Sequence, residues 1–359
     1  MIVEHIEIHR MTAPLRKPFK TALRTVDRME NIIVLLKTDT EHTGIGGAAP
    51  SSAVTGETME SLESAALLIG RTIRGMEILH YEEILRSVQN CIVGNMSAKA
   101  ALDMAILDLV GKHYKVPLYR LLGGRPRELT TDYTIGIDSP DKMAAESLEL
   151  AGRGFSIFKV KVGKNSDLDL ERLQTIRRSL GGEVPIRIDA NQGWGAKETV
   201  RFVNRAQSEG IALELVEQPV KRDDLEGMKY VKDRVELPVI ADESVFTPKD
   251  ALQLIGRNAV DGINIKLMKC GGIFQGLKLA EIAEIAGVEC MVGCMVEGMV
   301  GVTAAAHLAA ARPVITRLDL DAPLYCEENP VGGGIHYNGG QITLPETPGL
   351  GIEGISGII

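Results

Sequence analysis

The chain has 359 residues, of which 45% are hydrophobic, and a formal net charge of −8 at pH 7. This length leaves room for one α/β barrel and a smaller domain. The negative charge balance and the lack of a basic patch argue against a nucleic-acid partner, and no apolar run reaches the roughly eighteen residues of a membrane span. Because the first residues also lack the pattern of a signal peptide, we expect a cytoplasmic protein that binds neither nucleic acid nor membrane.

Residues 1–125 are predicted to form a small α+β domain that precedes the barrel. Three segments of strand character are followed by three with helical spacing: 2–13, 30–38 and 43–48, then 57–73, 81–89 and 97–113. The gap between the first two strands contains Pro14, Pro18 and several cationic residues. We expect residues 15–27 to form a long loop that serves a binding site, with a solvated surface loop as the alternative.

Residues 126–325 show short apolar strands that alternate with helices, which predicts a (β/α)8-type barrel. The eight expected strands span residues 132–137, 157–162, 186–190, 212–217, 239–242, 262–267, 289–293 and 315–320. The remaining segment, residues 326–359, is rich in glycine and proline and has no helical period. We expect it to pack back on the barrel and on the N-terminal α+β domain, residues 1–125, which we call the capping domain. The predicted fold class is therefore α/β, a barrel with an N-terminal α+β capping domain.

Carboxylates follow three consecutive barrel strands. Asp189, Glu217 and Asp242 end the third, fourth and fifth expected strands, where side chains project into the mouth of a barrel. Three carboxylates at one point repel one another unless a cation neutralises them, and an all-oxygen site of this size suits Mg²⁺. The alternative is three separate salt bridges with neighbours such as Lys161.

Lysines occupy two other strands of the same barrel. Lys159 and Lys161 lie on one face of the second strand, because strand side chains alternate between faces. Two neighbouring ammonium groups repel, which favours the neutral, basic form of one of them. The sixth strand carries Lys266, which also faces the mouth of the barrel, four strands after Lys161 and therefore on the opposite side of the ring. Unless the second strand is a solvated edge strand, a metal flanked by two opposed lysines indicates a proton-transfer site.

These motifs resemble the enolase superfamily, muconate-lactonising subgroup. The resemblance is carried by the two lysines of the second strand, by DANQGW, VEQP, ADES and NIKLMKCGG, and by NMSAKAALDMAILDL in the capping domain. Within the subgroup, TDYTIGI at the first barrel strand and DLDAP at the eighth are most similar to dipeptide epimerases, especially those of alanine–glutamate dipeptides.

The resemblance implies an isomerase that uses one Mg²⁺ per subunit, held by Asp189, Glu217 and Asp242. Sites of this superfamily use a lysine or histidine base with Mg²⁺ that stabilises an ene-diolate. Lys161 and Lys266 are then expected to exchange the α-proton of the C-terminal residue on opposite faces of the substrate, which inverts that carbon. Lys159 is expected to keep Lys161 basic but unprotonated. The expected reaction is epimerisation of L-Ala-L-Glu to L-Ala-D-Glu.

Further residues are expected to bind the dipeptide. Asp319 and Asp321 are assigned to the free ammonium of its N-terminal residue. Arg24 is assigned to the side-chain carboxylate of a C-terminal glutamate, with Val296 and Glu297 as competing determinants of side-chain preference. We also expect a homo-oligomer.

Other functions stay open at this point. A dipeptide epimerase with apolar or cationic preference, an N-acylamino-acid racemase, a cycloisomerase and an o-succinylbenzoate synthase all share the lysines and the metal. The Asp319/Asp321 pair favours a cationic amine over an acylated or dicarboxylate substrate. A Schiff-base aldolase has no need of the carboxylates, and a barrel that only binds metal and peptide has no need of the lysines.

Overall fold

The computed structural model describes residues 1–358 and begins with a three-stranded antiparallel sheet. Its strands, in the order β1-β2-β3, are β1 Val3–Lys20, β2 Thr25–Thr38 and β3 Thr43–Ala48. Four helices follow: α1 Met59–Ile73, α2 Tyr81–Asn90, α3 Met96–Tyr114 and α4 Leu118–Leu121, with a 3₁₀ turn at Ile78–His80 between α1 and α2. Sheet and helices together form the expected α+β capping domain.

The predicted long loop at residues 15–27 is wrong. Strand β1 continues to Lys20 and pairs with β2, so that only residues 21–24 form the turn of a hairpin. The two prolines are tolerated because β1 is an edge strand, and its register shifts between Pro14 and Phe19. The Thr21 backbone N–H donates to the Arg24 carbonyl over 2.9 Å and closes the turn.

Helix α3 lies at the centre of the capping domain, where every residue from Ser97 to Gly111 is buried. Its backbone packs directly on β3, because a Cβ at Gly44 or Gly46 would overlap carbonyl oxygens of the helix. Such close contact requires glycine on the strand. The other side of α3 reaches the barrel, so this helix connects the two parts of the molecule.

The second part is an eight-stranded parallel barrel. Its strands are β5 Tyr133–Ile135, β6 Phe158–Lys161, β7 Ile186–Asp189, β8 Leu215–Glu217, β9 Val239–Ala241, β10 Gly262–Lys266, β11 Glu289–Gly293 and β12 Ile315–Asp319. Its helices are α5 Pro140–Gly152, α6 Ser166–Leu180, α7 Ala196–Ser208, α8 Leu225–Lys232, α9 Pro248–Gly256, α10 Leu267–Cys270, α11 Ile273–Ala286 and α12 Met299–Ala311.

The strands follow chain order around the ring, from β5 to β12. A single parallel bridge between Thr131 and Leu318 brings the two ends together. The last strand is followed by a 3₁₀ turn, Ala322–Tyr325, instead of an outer helix. The predicted fold class, a (β/α)8-type barrel with an N-terminal α+β capping domain, is confirmed.

Residues after the barrel lie on both parts of the molecule. Four short strands are present here, β13 Val331–Gly333, β14 His336–Asn338, β15 Gln341–Thr343 and β16 Ile352–Ile355, and β15 pairs with β4 Leu129–Thr130 ahead of the barrel. The Gly349 carbonyl accepts from the N–H of Leu118 in the capping domain. None of the helices within residues 1–358 combines the length and the apolar character needed to cross a membrane.

Candidate active site

The candidate site lies where the carboxyl ends of the barrel strands face the capping domain. The hairpin turn at residues 21–24 covers this end of the barrel, and together they enclose a cavity with an empty volume of about 590 Å³ including its mouth. The cavity lies at the end of the barrel where such folds carry their chemistry.

Three carboxylates form one cluster at the base of this cavity. Asp189 and Glu217 are the last residues of β7 and β8, and Asp242 follows β9 directly. All three are buried, and one oxygen of each lies within 4.8 Å of the others. The strands place them there because neighbouring parallel strands end at the same rim of the barrel.

The cluster fits a hard divalent cation. Its donors are all carboxylate oxygens, which Mg²⁺ prefers. Asn264 Nδ2 donates to Glu217 Oε1 over 2.8 Å, and the Asn191 N–H donates to Asp189 Oδ1 over 2.8 Å, so two of the carboxylates are oriented by hydrogen bonds. Glu217 Oε2 is buried and makes no hydrogen bond within residues 1–358, and its ion-pair partner is Lys159 Nζ at 2.7 Å.

Two lysines flank the cluster from opposite sides and line the cavity. Lys161 ends β6 and its Nζ lies 2.6 Å from Asp189 Oδ2, whereas Lys266 ends β10 with its Nζ 2.8 Å from Asp242 Oδ2. Strands β6 and β10 lie four positions apart in the ring of eight. Burial lowers the pKa of Lys266, but the nearby carboxylates, Asp242 first, together outweigh burial, so the pKa lies above the ordinary lysine value.

Lys159 lies below the cavity and does not line it. Its side chain is fully buried, with the Nζ 2.7 Å from Glu217 Oε2 and 2.7 Å from Asp319 Oδ2. The contact between Lys159 Nζ and Glu217 Oε2 is an ion pair, but its angles do not meet the criteria of a hydrogen bond. Burial lowers the pKa of Lys159, but the carboxylates, Asp319 first, raise it well above the ordinary value. Lys159 is therefore a permanent buried cation on the same strand face as Lys161.

The carboxylates do pair with lysines, but in two groups that share partners instead of three separate salt bridges. Lys159 contacts both Asp189 and Glu217, and Asp242 contacts both Lys266 and Lys269. Strand β6 is buried along its whole length, so the alternative of a solvated edge strand is wrong.

Asp319 and Asp321 line the cavity at the end of β12. Strand β5 lies next to β12 where the barrel closes. Its Thr134 donates its hydroxyl to Asp319 Oδ1 over 3.2 Å and its N–H to Asp321 Oδ2 over 2.6 Å. Burial and then the charge of Asp319 raise the pKa of Asp321 to about 7. Burial alone would raise the pKa of Asp319, but Lys159 and Lys266 lower it below the ordinary value. The pair thus presents negative charge to this side of the cavity.

The remaining predicted binding residues have different positions. Arg24 and Val296 line the cavity. The half-buried guanidinium of Arg24 makes no hydrogen bond or ion pair with any residue of 1–358, and burial lowers its pKa below the ordinary value. Glu297 is buried away from the cavity lining, and burial raises its pKa to about 8.

Several residues of the cavity were not expected from the sequence. Phe19 and Tyr325 stack with ring centroids 5.0 Å apart, and the Tyr325 hydroxyl donates to Asp321 Oδ2 over 2.6 Å. Thr134 joins them on the same side. Thr134 could have been found, because it lies near the end of a predicted strand. Phe19 and Tyr325 carried no such signal, since they meet only when the hairpin lies over the barrel.

Comparisons with known proteins agree with this geometry. Residues 5–123 match the mandelate racemase/muconate lactonizing enzyme N-terminal domain, and residues 142–355 match the enolase C-terminal domain-like family. The L-Ala-D/L-Glu epimerase of Clostridium acetobutylicum is 51% identical over 99% of this chain and 100% of its own length.

Two solved structures are similar over nearly the whole chain. The substrate-liganded L-Ala-D/L-Glu epimerase of Bacillus subtilis has a TM-score of 0.98 at 46% identity, covering 99% of this chain and 100% of the other. The dipeptide epimerase of Enterococcus faecalis, in complex with Mg and L-Leu-L-Tyr, has a TM-score of 0.96 at 41% identity, covering 99% and 100%. With both of its domains matched, the chain belongs to the enolase superfamily, in its mandelate racemase/muconate lactonizing enzyme branch.

Proposed function

We propose that the protein is a Mg²⁺-dependent dipeptide epimerase that inverts the α-carbon of the C-terminal residue, with L-Ala-L-Glu and L-Ala-D-Glu as its substrate pair. The observation that carries the proposal is the placement of Lys161 and Lys266 on opposite sides of one cavity. Two bases that face the same carbon from opposite sides can remove a proton on one face and return it on the other. This arrangement produces inversion.

The two termini of the substrate are oriented by charge. Its C-terminal carboxylate lies towards Asp189, Glu217 and Asp242, which would hold the Mg²⁺. When bound, the ion supplies Lewis-acid stabilisation of the negative charge that develops on that carboxylate. The N-terminal ammonium is held by Asp319 and Asp321 through charge-assisted hydrogen bonds.

The lysines perform the proton transfer. In one direction, neutral Lys161 takes the α-proton and the ammonium of Lys266 delivers a proton to the opposite face; in the reverse direction the roles exchange. Lys159 is proposed to support this cycle from below, because its buried Nζ lies 3.3 Å from Asp189 Oδ2, the same oxygen that Lys161 contacts. The stacked rings of Phe19 and Tyr325 cover the cavity on the side of Asp319 and Asp321, where they would limit the access of water.

The proposal is tested by incubating a panel of L,L-dipeptides in D₂O. We expect deuterium at the C-terminal α-carbon, detected by mass spectrometry, and the D-epimer by chiral chromatography, with L-Ala-L-Glu turned over fastest. N-acylated amino acids are the matched controls, since they lack the ammonium that Asp319 and Asp321 would bind. Incorporation into none of the dipeptides would contradict the function.

Arg24 is proposed to select the C-terminal glutamate. The supporting observation is that its guanidinium lines the cavity without an acidic partner among residues 1–358. A charge-assisted hydrogen bond contributes about 1.5–3 kcal/mol, so Arg24→Ala should lower kcat/KM for L-Ala-L-Glu by roughly tenfold to a hundredfold. An L-Ala dipeptide with an apolar C-terminal residue should be spared.

The control for this variant is Arg28→Ala, because Arg28 belongs to the same hairpin but is exposed and pairs with Asp27. It should leave both substrates unaffected. Equal losses for the two substrates in Arg24→Ala would show that this residue only supports the turn. A wild-type preference for apolar or cationic side chains would contradict the glutamate assignment, and an apolar preference would favour Val296 as the determinant.

A further inference from the structure

The segment from Lys266 to Gly272 carries two of the cations of the site, Lys266 and Lys269. Strand β10 ends at Lys266, the short helix α10 follows, and α11 begins after Gly271 and Gly272. At the end of α10, Lys269 Nζ lies 2.5 Å from Asp242 Oδ1 and donates to the Asn264 carbonyl over 3.1 Å. The path of this segment therefore determines where Lys266 leaves the barrel rim.

Asp103 of the capping domain holds this segment from outside the barrel. Its two carboxylate oxygens accept from the first backbone N–H groups of α11, Oδ1 from Ile273 over 2.6 Å and Oδ2 from Phe274 over 3.1 Å. These N–H groups have no partner within their own helix, and the positive end of the helix dipole favours the carboxylate. Asp103 is fully buried on α3 and forms no ion pair within residues 1–358.

Neighbouring contacts support the same segment. Gln89 of α2 donates its side-chain amide to the Gly271 carbonyl over 2.7 Å. Gly272 has a φ of +112°, and a Cβ there would overlap the Asp103 carboxyl. Glycine at this position is thus needed both for the backbone conformation and for the approach of Asp103. Neither Gln89 nor Asp103 lines the cavity.

Lys161 is supported in a different way. After β6 the chain passes through Gly163, whose N–H donates to Asp169 Oδ2 over 2.8 Å, and Asp169 belongs to α6 of the barrel itself. The barrel thus secures the segment after one lysine, whereas the capping domain secures the segment after the other.

We propose that Asp103 is a positioning residue for Lys266, so that the capping domain sets the geometry of proton transfer on one face of the substrate only. This inference rests on the proposed function and deepens it. A carboxylate that accepts two backbone N–H groups fixes the start of α11 and, through six residues of chain, the direction of the Lys266 side chain. A small displacement of a base is costly, since misplacement by about 1 Å can reduce a rate by roughly a hundredfold.

The test is Asp103→Asn, because asparagine keeps the shape but replaces one of the two accepting oxygens with an NH₂ group, which cannot accept from a backbone N–H. Exchange of the α-proton is followed in D₂O from each epimer separately. Burial raises the pKa of Asp103 to about 7, so the assay is run above about pH 8, where the wild-type carboxyl is ionised. We expect exchange from one epimer to fall roughly tenfold to a hundredfold while exchange from the other is retained, with kcat lowered and KM unchanged.

Asp108→Asn is the matched control. Asp108 lies on the same helix, is also fully buried, and accepts from the backbone N–H groups of Leu350 and Ile45 over 2.8 and 2.9 Å. Its partners lie away from Lys266, so we expect both epimers to be affected equally, even where thermal stability falls as much as in Asp103→Asn. An asymmetry in this control as well would contradict the proposal.

If Asp103→Asn does not fold, Gln89→Ala is the second test variant, because it removes only the side-chain hydrogen bond to the Gly271 carbonyl. It should show the same asymmetry with a smaller amplitude. Equal losses from both epimers, or no loss, in the variant that folds would overturn the positioning role. Failure of the proposed function is distinguishable, because the wild-type protein itself would then exchange no α-proton from any dipeptide.

Discussion

Replacing either Lys161 or Lys266 with alanine is expected to abolish epimerisation while leaving the protein folded. General acid–base catalysis contributes about 10²- to 10⁴-fold, and both lysines are required because each is proposed to serve one face of the α-carbon. The fold should survive because each lysine leaves a compensated carboxylate behind: Asp189 keeps Lys159, and Asp242 keeps Lys269. The measurements are epimer ratio by chiral chromatography and α-proton exchange in D₂O.

Each alanine variant is expected to retain exchange from one epimer only, and the two variants should differ in which epimer that is. Lys229→Ala provides the control, because Lys229 forms a surface ion pair with Asp233 at 2.9 Å and lies outside the cavity. Surface pairs contribute little to stability, so this variant should behave as the wild type. Retained epimerisation in Lys161→Ala or Lys266→Ala would refute the two-base mechanism.

Removing a carboxylate from the predicted metal cluster is expected to abolish both Mg²⁺ binding and turnover. Glu217→Gln removes a negative charge from the centre of the cluster, and Asn264 can still hydrogen-bond to the amide oxygen. Mg²⁺ binding can be measured independently of activity, because a ligand that binds only the folded state increases the stability of the protein as the ligand concentration rises. Added Mg²⁺ should therefore raise the Tm of the wild type and leave that of Glu217→Gln unchanged, with calorimetry giving one ion per chain.

Asp223→Asn is the matched control for the charge change, since this carboxylate is 93% exposed and belongs to no cluster. It should retain the Mg²⁺-dependent rise in Tm and full activity. Exhaustive treatment with EDTA should inactivate the wild type, and added Mg²⁺ should restore it. Full activity after this treatment would rule out the metal assignment.

The barrel and the main members of the candidate site could be predicted because their signals are local. Short apolar strands that alternate with helices define the barrel, and the end of each strand is visible in the sequence. Since strands of a barrel end at one rim, Asp189 and Glu217 could be brought together before any contact was known. The same rule placed Lys161 and Lys266 on opposite sides, because it needs only the count of strands between them.

Tertiary structure alone decided which groups meet across the two domains. The long loop predicted at residues 15–27 became a hairpin, because an edge strand tolerates prolines whose cost depends on whether a neighbour pairs with them. Glu297 follows a barrel strand, yet packing turned it away from the cavity lining. Asp103 meets Ile273 from 170 residues away in the chain. A local pattern specifies an element and its buried face, whereas such pairings depend on how separate elements pack, which no single stretch of sequence contains.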